Sequence, residues 1–214
     1  MSTAQTSRDA HVRILESTLL CDDWSELRRT HLELRGPDGS WTPQVRETYD
    51  RGNGATILLY EPTALTVVLV RQFRYPAYVN GHPDGMLLET PAGLLDGDAP
   101  EVAIRREAEE ETGLRVGAVR RLFEVFMSPG SVTERVAFFA APYSPADRVG
   151  AGGGVAAEGE QIEVVELPLA EALRAVERGE IVDGKTIMLL QWADRALAAP
   201  APTAPVLTPE PPQC

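Results

Sequence analysis

The chain has 214 residues, 43% of them apolar, a formal net charge of −12 at pH 7 and a pI near 4.7, enough apolar material for one substantial core with a small appendage. The acidic balance excludes a broad nucleic-acid surface, which needs clustered Lys and Arg, but leaves room for a local phosphate pocket. No stretch approaches the roughly 18 consecutive apolar residues of a membrane span, and the opening MSTAQTSRDAHVR lacks an apolar signal core.

In chain order, residues 1–48 hold a small antiparallel β unit. Val12-Ile14, Leu27 and His31-Leu32-Glu33-Leu34 supply partial alternation, and GPDGS at 36–40 is a turn. A main domain spans 49–198. Ala55–Tyr60 and Thr66–Phe73 read as buried strands around the turn EPTAL, and Met86–Glu89 as a third strand. A loop at Thr90–Gly93 leads into a helix that ends near Gly113. Leu122–Met127 and Val136–Ala140 are strands either side of SPGSVTE, and 150–161 is a flexible Gly-rich loop. Ile162–Leu167 is a strand, and Leu169–Arg178 and Thr186–Ala198 are amphipathic helices. Residues 199–214 contain six prolines and read as a disordered tail. Strands and helices alternate without a regular βαβ rhythm, so a mixed sheet between helices is expected, an α/β class. Cys21 and Cys214 form neither a zinc spacing nor a disulfide framework, so a reducing cytoplasmic setting is expected.

The helix after Gly93 carries the chemistry. In the run REAEEETGL, Glu107 and Glu110 are three apart and Glu107 and Glu111 are four apart, so the three carboxylates share a helix face. Like charges at these spacings cost an isolated helix about 0.2–0.5 kcal/mol per pair. A hard cation reverses that sign, and magnesium takes oxygen ligands shared between carboxylates and substrate phosphates. The competing reading is a solvated acidic face. Against it, Ala103, Ile104 and Ala108 fall on the side of Glu107 and Glu111, while Arg105 and Glu109 point elsewhere. Asp98 with Glu101 has capping-box spacing, Pro100 suits a first turn, and Gly113 suits a left-handed C-terminus.

The run resembles the Nudix box, G-x5-E-x7-R-E-U-x-E-E-x-G-U, where U is a bulky apolar residue. Gly93, Arg106, Glu107, Glu110, Glu111, Gly113 and Leu114 match, and Ala108 is a small residue at a U position. Four residues, not five, separate Gly93 from the acidic position, which is Asp98 rather than Glu. The stretches 49–60, 67–74, 79–81, 92–102, 127–134, 151–155, 162–168 and 183–190 resemble the GDP-mannose pyrophosphatase subfamily, shortened spacing included. Pro129, fifteen residues after Leu114, resembles the nucleotide-sugar and ADP-ribose branch.

The resemblance implies an α/β/α sandwich and Mg²⁺-dependent hydrolysis of a nucleotide sugar, with Mn²⁺ as a substitute ion. GDP-mannose would give GMP and mannose 1-phosphate. ADP-ribose cleavage to AMP and ribose 5-phosphate, and a non-catalytic sensor of nucleotide sugars, are the alternatives. It implies metal ligands at the Ala92 carbonyl, Glu107, Glu111 and a loop glutamate, Glu160 rather than Glu158. Glu160 or Glu134 would be the base, and Glu110 with Arg106 would orient the ligands. Trp24, Val45, Arg46, Glu47, Arg74, Ala92 and Gly93 would contact substrate. Trp24 would stack on the purine or fill a dimer core. Arg74 matches phosphate with its fork. The subfamily also implies a homodimer that exchanges its N-terminal β units.

Overall fold

The computed structural model describes residues 11–155, 159 and 161–197. The Pro-rich tail, Glu158 and Glu160 therefore lie outside the described residues. The N-terminal unit is a three-stranded antiparallel sheet in the order β1 (Val12–Asp22), β2 (Glu26–Arg35) and β3 (Trp41–Asp50). The GPDGS turn closes β2 onto β3, with Gly39 at φ 83° and the Ser40 N–H donating to Asp38 Oδ1 at 3.0 Å. β3 runs on to Asp50, two residues past the expected edge at 48. Tyr49 ties it to the main body: its N–H donates to the Ser131 carbonyl at 2.8 Å, and its carbonyl accepts from the Thr133 N–H at 3.0 Å.

The main sheet is mixed. Its central order is β10 (Glu163–Pro168), β5 (Thr66–Phe73), β4 (Gly54–Glu61), β9 (Arg135–Pro142) and β8 (Arg120–Phe126). β4 and β9 are parallel, and the other neighbours are antiparallel. Alternate side chains of the central strands enter two different cores, which is why these strands read as continuous apolar runs. Ile57, Leu59, Val68 and Phe139 pack with Ile104 and Ala108 of α2 (Pro100–Thr112). Leu58, Val67, Leu69 and Phe138 pack with Leu169 and Ala172 of α3 (Leu169–Glu177) and Leu189 and Leu190 of α4 (Gly184–Leu197). Full burial of each Ile, Leu, Val or Phe side chain among these contributes about 1.5–3 kcal/mol. The expected α/β/α sandwich is thus present.

The sheet splits where the site forms. β4 pairs with β5 only across Leu59–Glu61 and Thr66–Val68. Beyond that, Val70–Phe73 of β5 takes β6 (Met86–Glu89), while Gly54–Thr56 of β4 takes β7 (Ala92–Leu94). The Thr90–Pro91 link bridges the two branches, its Pro91 carbonyl accepting from the Ile57 N–H at 3.0 Å.

Four details differ from the sequence reading. Ala92–Leu94 is a strand, not a loop; three residues beside Gly and Pro are too few to show alternation. The five-residue helix α1 (Tyr75–Val79) is likewise too short to show a helical period. Asp98 does not cap α2. The N-cap is Ala99, with Pro100 following, and no side chain bonds the cap. Instead the Asp98 N–H donates to the Leu95 carbonyl at 2.8 Å, closing a tight turn with Asp96 at φ 49° and Gly97 at φ 89°. That turn absorbs the shortened box spacing. Finally, residues 150–154 are held against the C-terminal end of α2 by defined hydrogen bonds rather than forming a free loop.

Candidate active site

α2 ends as its sequence predicts. Gly113 adopts φ 72°, and its N–H donates to the Glu109 carbonyl at 2.8 Å. The last carbonyls of the helix, which have no partner inside it, are taken by the Gly-rich segment. The Gly153 N–H reaches the Glu111 carbonyl at 2.9 Å, and the Gly154 N–H reaches the Glu110 carbonyl at 3.1 Å. Contact this close needs glycine. A Cβ on Gly152 would lie 2.6 Å from the Thr112 carbonyl carbon, and one on Gly113 would lie 2.5 Å from that of Gly150.

The carboxylates of α2 divide. Glu111 is 2% exposed and accepts from the Ala92 N–H through Oε2 at 3.2 Å, joining α2 to β7. Glu107 lies against Gly93, where an added Cβ would sit 2.5–2.6 Å from both carboxylate oxygens. Glu110 turns to Arg106, whose Nη1 stands 3.6 Å from it and 3.1 Å from Glu107. The expected cluster of three is therefore a pair with an arginine-bridged neighbour. Among the described residues no three His, Cys, Asp or Glu side chains gather closely enough to hold a cation. Glu107 and Glu111 of α2 both lie against the Ala92–Gly93 backbone of β7. Carboxylate oxygens of this kind, with Glu107 in a niche that only glycine leaves open, fit a hard divalent cation such as Mg²⁺.

Beside Glu107 is a cleft of about 840 Å³, which the buried Glu111 does not line, within the usual range for small-molecule sites. Of the residues expected from sequence, Trp24, Arg74, Ala92, Gly93, Arg106, Glu107, Glu110 and Glu134 line it. Trp24 is 87% exposed, so it offers a bare ring face to the cleft rather than filling a core within the chain. Glu134 is half-buried and stands 3.7 Å from Arg51. Arg74 forks onto Glu89, with Nε 3.1 and 3.2 Å from the two oxygens and Nη2 2.6 Å from Oε2. Burial works against the Arg74 charge, but hydrogen bonding and charge from Glu89, with Glu111 and Asp183 beyond, raise its pKa further.

Val45, Arg46 and Glu47 do not line this cleft within one chain. They lie on β3, where Arg46 bonds the Val45 carbonyl at 2.8 Å and Glu47 pairs with Arg29 at 2.7 Å.

Sequence reasoning missed Lys185 in the cleft wall. The signal was available: the chain has 20 Lys and Arg residues, and Lys185 is the sole lysine. Its Nζ donates to Asp183 Oδ1 at 2.7 Å. Burial pushes the Asp183 carboxyl up, but the Lys185 charge and hydrogen bonds from Lys185 and Thr186 outweigh it and hold the group below its ordinary value.

A NUDIX domain profile matches residues 50–190. The chain belongs to the Nudix family. A second profile, described as the GDP-mannose pyrophosphatase NudK N-terminal domain, matches residues 11–49. The chain is 56% identical over 182 residues to a GDP-mannose pyrophosphatase of Klebsiella pneumoniae, covering 85% of this chain and 91% of that protein. It is also 56% identical to that of Yersinia enterocolitica, covering 84% and 93%, and 54% identical to that of Salmonella typhimurium, covering 85% and 94%. The helix bearing Glu107 and Glu111 is thus the Nudix helix of a Nudix hydrolase, and hydrolases of this family generally use a divalent cation. Among the described residues no helix is long and apolar enough to cross a membrane.

Proposed function

We propose that the chain hydrolyses the pyrophosphate bond of GDP-mannose, giving GMP and mannose 1-phosphate, with Mg²⁺ as its ion. The observation that carries this is that Glu107 and Glu111 of α2 are set against β7, with Glu107 lining a cleft that Arg74, Arg106 and Lys185 also line. A cleft lined by both carboxylates and cationic side chains suits an anionic diphosphate held beside a metal ion. The relatives named above, with more than half their residues identical, carry that substrate in their names.

Glu107, Glu111 and the Ala92 carbonyl would hold the ion, which when bound neutralises phosphate oxygens and lowers the pKa of water. Arg74, fixed in orientation by Glu89, and Lys185 bind phosphate oxygens. Trp24 stacks on the purine with its exposed ring. Glu134 takes the proton of the attacking water; oxygen adds to phosphorus and the bridging P–O bond breaks, releasing the two monophosphates. Glu160 is the second base and ligand candidate.

The working unit is a homodimer in which the β1–β3 sheet reaches the partner's cleft. Ile14, Leu15, Leu19, Leu20 and Val45 are exposed on that sheet in a single chain, more apolar surface than a three-stranded sheet leaves to water. Such an exchange would bring Arg46 and Glu47 to a cleft they do not line at home.

The test is metal-dependent turnover by Glu107→Gln and Glu111→Gln. Each substitution keeps side-chain volume and removes the charge that attracts the ion. Loss of about 10²-fold or more in kcat with the fold intact supports the reading, and near wild-type turnover in both refutes it.

A further inference from the structure

Asp183, Thr186, Thr90 and Thr56 form one buried polar chain. Thr56, Thr90 and Thr186 are fully buried, and the Asp183 side chain is 12% exposed. The hydrogen positions follow from the partners. Thr186 Oγ1 donates to Asp183 Oδ2 at 2.7 Å, so it accepts from the Thr90 N–H at 2.7 Å. Thr56 Oγ1 donates to the Pro91 carbonyl at 3.0 Å and lies 2.9 Å from Thr90 Oγ1, which therefore donates to it. The chain runs from the first turn of α4, across the Thr90–Pro91 link, to the residue before Ala92. At its other end Asp183 Oδ1 holds Lys185 Nζ at 2.7 Å. An ammonium has three donors, so this contact fixes the group and leaves two for the cleft.

We propose that Asp183 is a positioning residue for the reaction: it holds Lys185 against the cleft wall, and the hydroxyl chain through Thr186, Thr90 and Thr56 keys that lysine to the strand carrying Ala92. This rests on the phosphate-binding reading of the cleft. Arginine supplies every other side-chain cation that lines it, and arginine's planar fork orients itself by its own geometry. A lysine is a compact charge on a flexible stem, so its direction must come from a partner.

The alternative is that Asp183 serves only as the N-cap of α4, since its Oδ2 also accepts from the Thr186 N–H at 2.9 Å. Asp183→Asn separates the two roles. Asparagine caps helices as well as aspartate, but its neutral amide no longer holds an ammonium. Because Lys185 is the sole lysine, amine acylation followed by peptide mass spectrometry reads its accessibility without any substrate. Positioning predicts an unchanged melting temperature in Asp183→Asn, a several-fold faster acylation of Lys185, and a fall in kcat/KM for GDP-mannose of about tenfold. It further predicts that adding Asp183→Asn to Lys185→Ala costs less than a further twofold, because the partner is already gone. Equal costs in both backgrounds, or unchanged acylation, would overturn the positioning role. Faster acylation of Asp183→Asn without any effect of Lys185→Ala on turnover would instead refute the phosphate-binding reading while keeping the structural coupling.

Discussion

The Glu107 carboxylate occupies the space that a side chain on Gly93 would take: a Cβ there would come within 2.5 and 2.6 Å of its two oxygens. Gly93 needs no unusual backbone angle, so its role is close approach alone. Gly93→Ala should therefore leave the fold intact, because the clashing atoms are the end of a flexible side chain. It should displace the carboxylate by about 1 Å and lower kcat about 10²-fold. A melting curve beside steady-state kinetics checks this; full activity in the Gly93→Ala variant would show that Glu107 does not need that niche.

Much of this site was legible from residue spacing. Ala103, Ile104 and Ala108 are buried beside Glu107 and Glu111, and Gly113 closes the helix in the left-handed region, as the pattern of REAEEETGL implied. Spacing could not show how the carboxylates divide. Arg106 stands 3.1 Å from Glu107 and 3.6 Å from Glu110, so the i,i+4 pair that spacing allows is shared with the neighbouring carboxylate. Asp98 had capping spacing, yet the turn at Asp96–Gly97 uses its N–H and starts the helix one residue later. Lys185 stood out as the sole lysine, but where it and Asp183 lie was not legible. They reach the cleft through the tertiary packing of α4 on the sheet, and no periodicity records which end of a helix meets a distant strand.

The Gly-rich segment should be as sensitive as the helix it caps. Gly152 has φ 70°, and a Cβ there would meet the Glu111 carbonyl oxygen and the Thr112 backbone. Backbone atoms cannot swing aside. Gly152→Ala should lift the segment from α2, remove the Gly153 and Gly154 hydrogen bonds and cost about 2 kcal/mol of stability. It should also lower turnover, because the segment is bonded to the end of the helix that carries Glu111. Denaturant melts together with kinetics test both effects; unchanged stability would mean that the segment does not cap the helix in solution.

The proposed exchange of the β1–β3 sheet can be tested with mixed dimers. If Arg46 serves the partner's cleft, a chain with Arg46→Ala and a chain with Glu107→Gln are complementary. One cleft of the mixed dimer then receives an intact Arg46 and an intact Glu107, and the other collects both lesions. Co-expressed and purified mixed dimer should recover towards half the wild-type rate, with each parent inactive. No recovery in a dimer confirmed by mass would place Arg46 in its own chain's site or outside the site.

The decisive measurement is to incubate the purified protein with GDP-mannose and Mg²⁺ and identify the products, with ADP-ribose in parallel. GMP and mannose 1-phosphate should form, with one water-derived oxygen in one of the two, and turnover should cease after chelation. Absence of GDP-mannose cleavage, or a kcat/KM for ADP-ribose at least about tenfold higher, a preference of ~1.4 kcal/mol in transition-state binding, would overturn the GDP-mannose assignment.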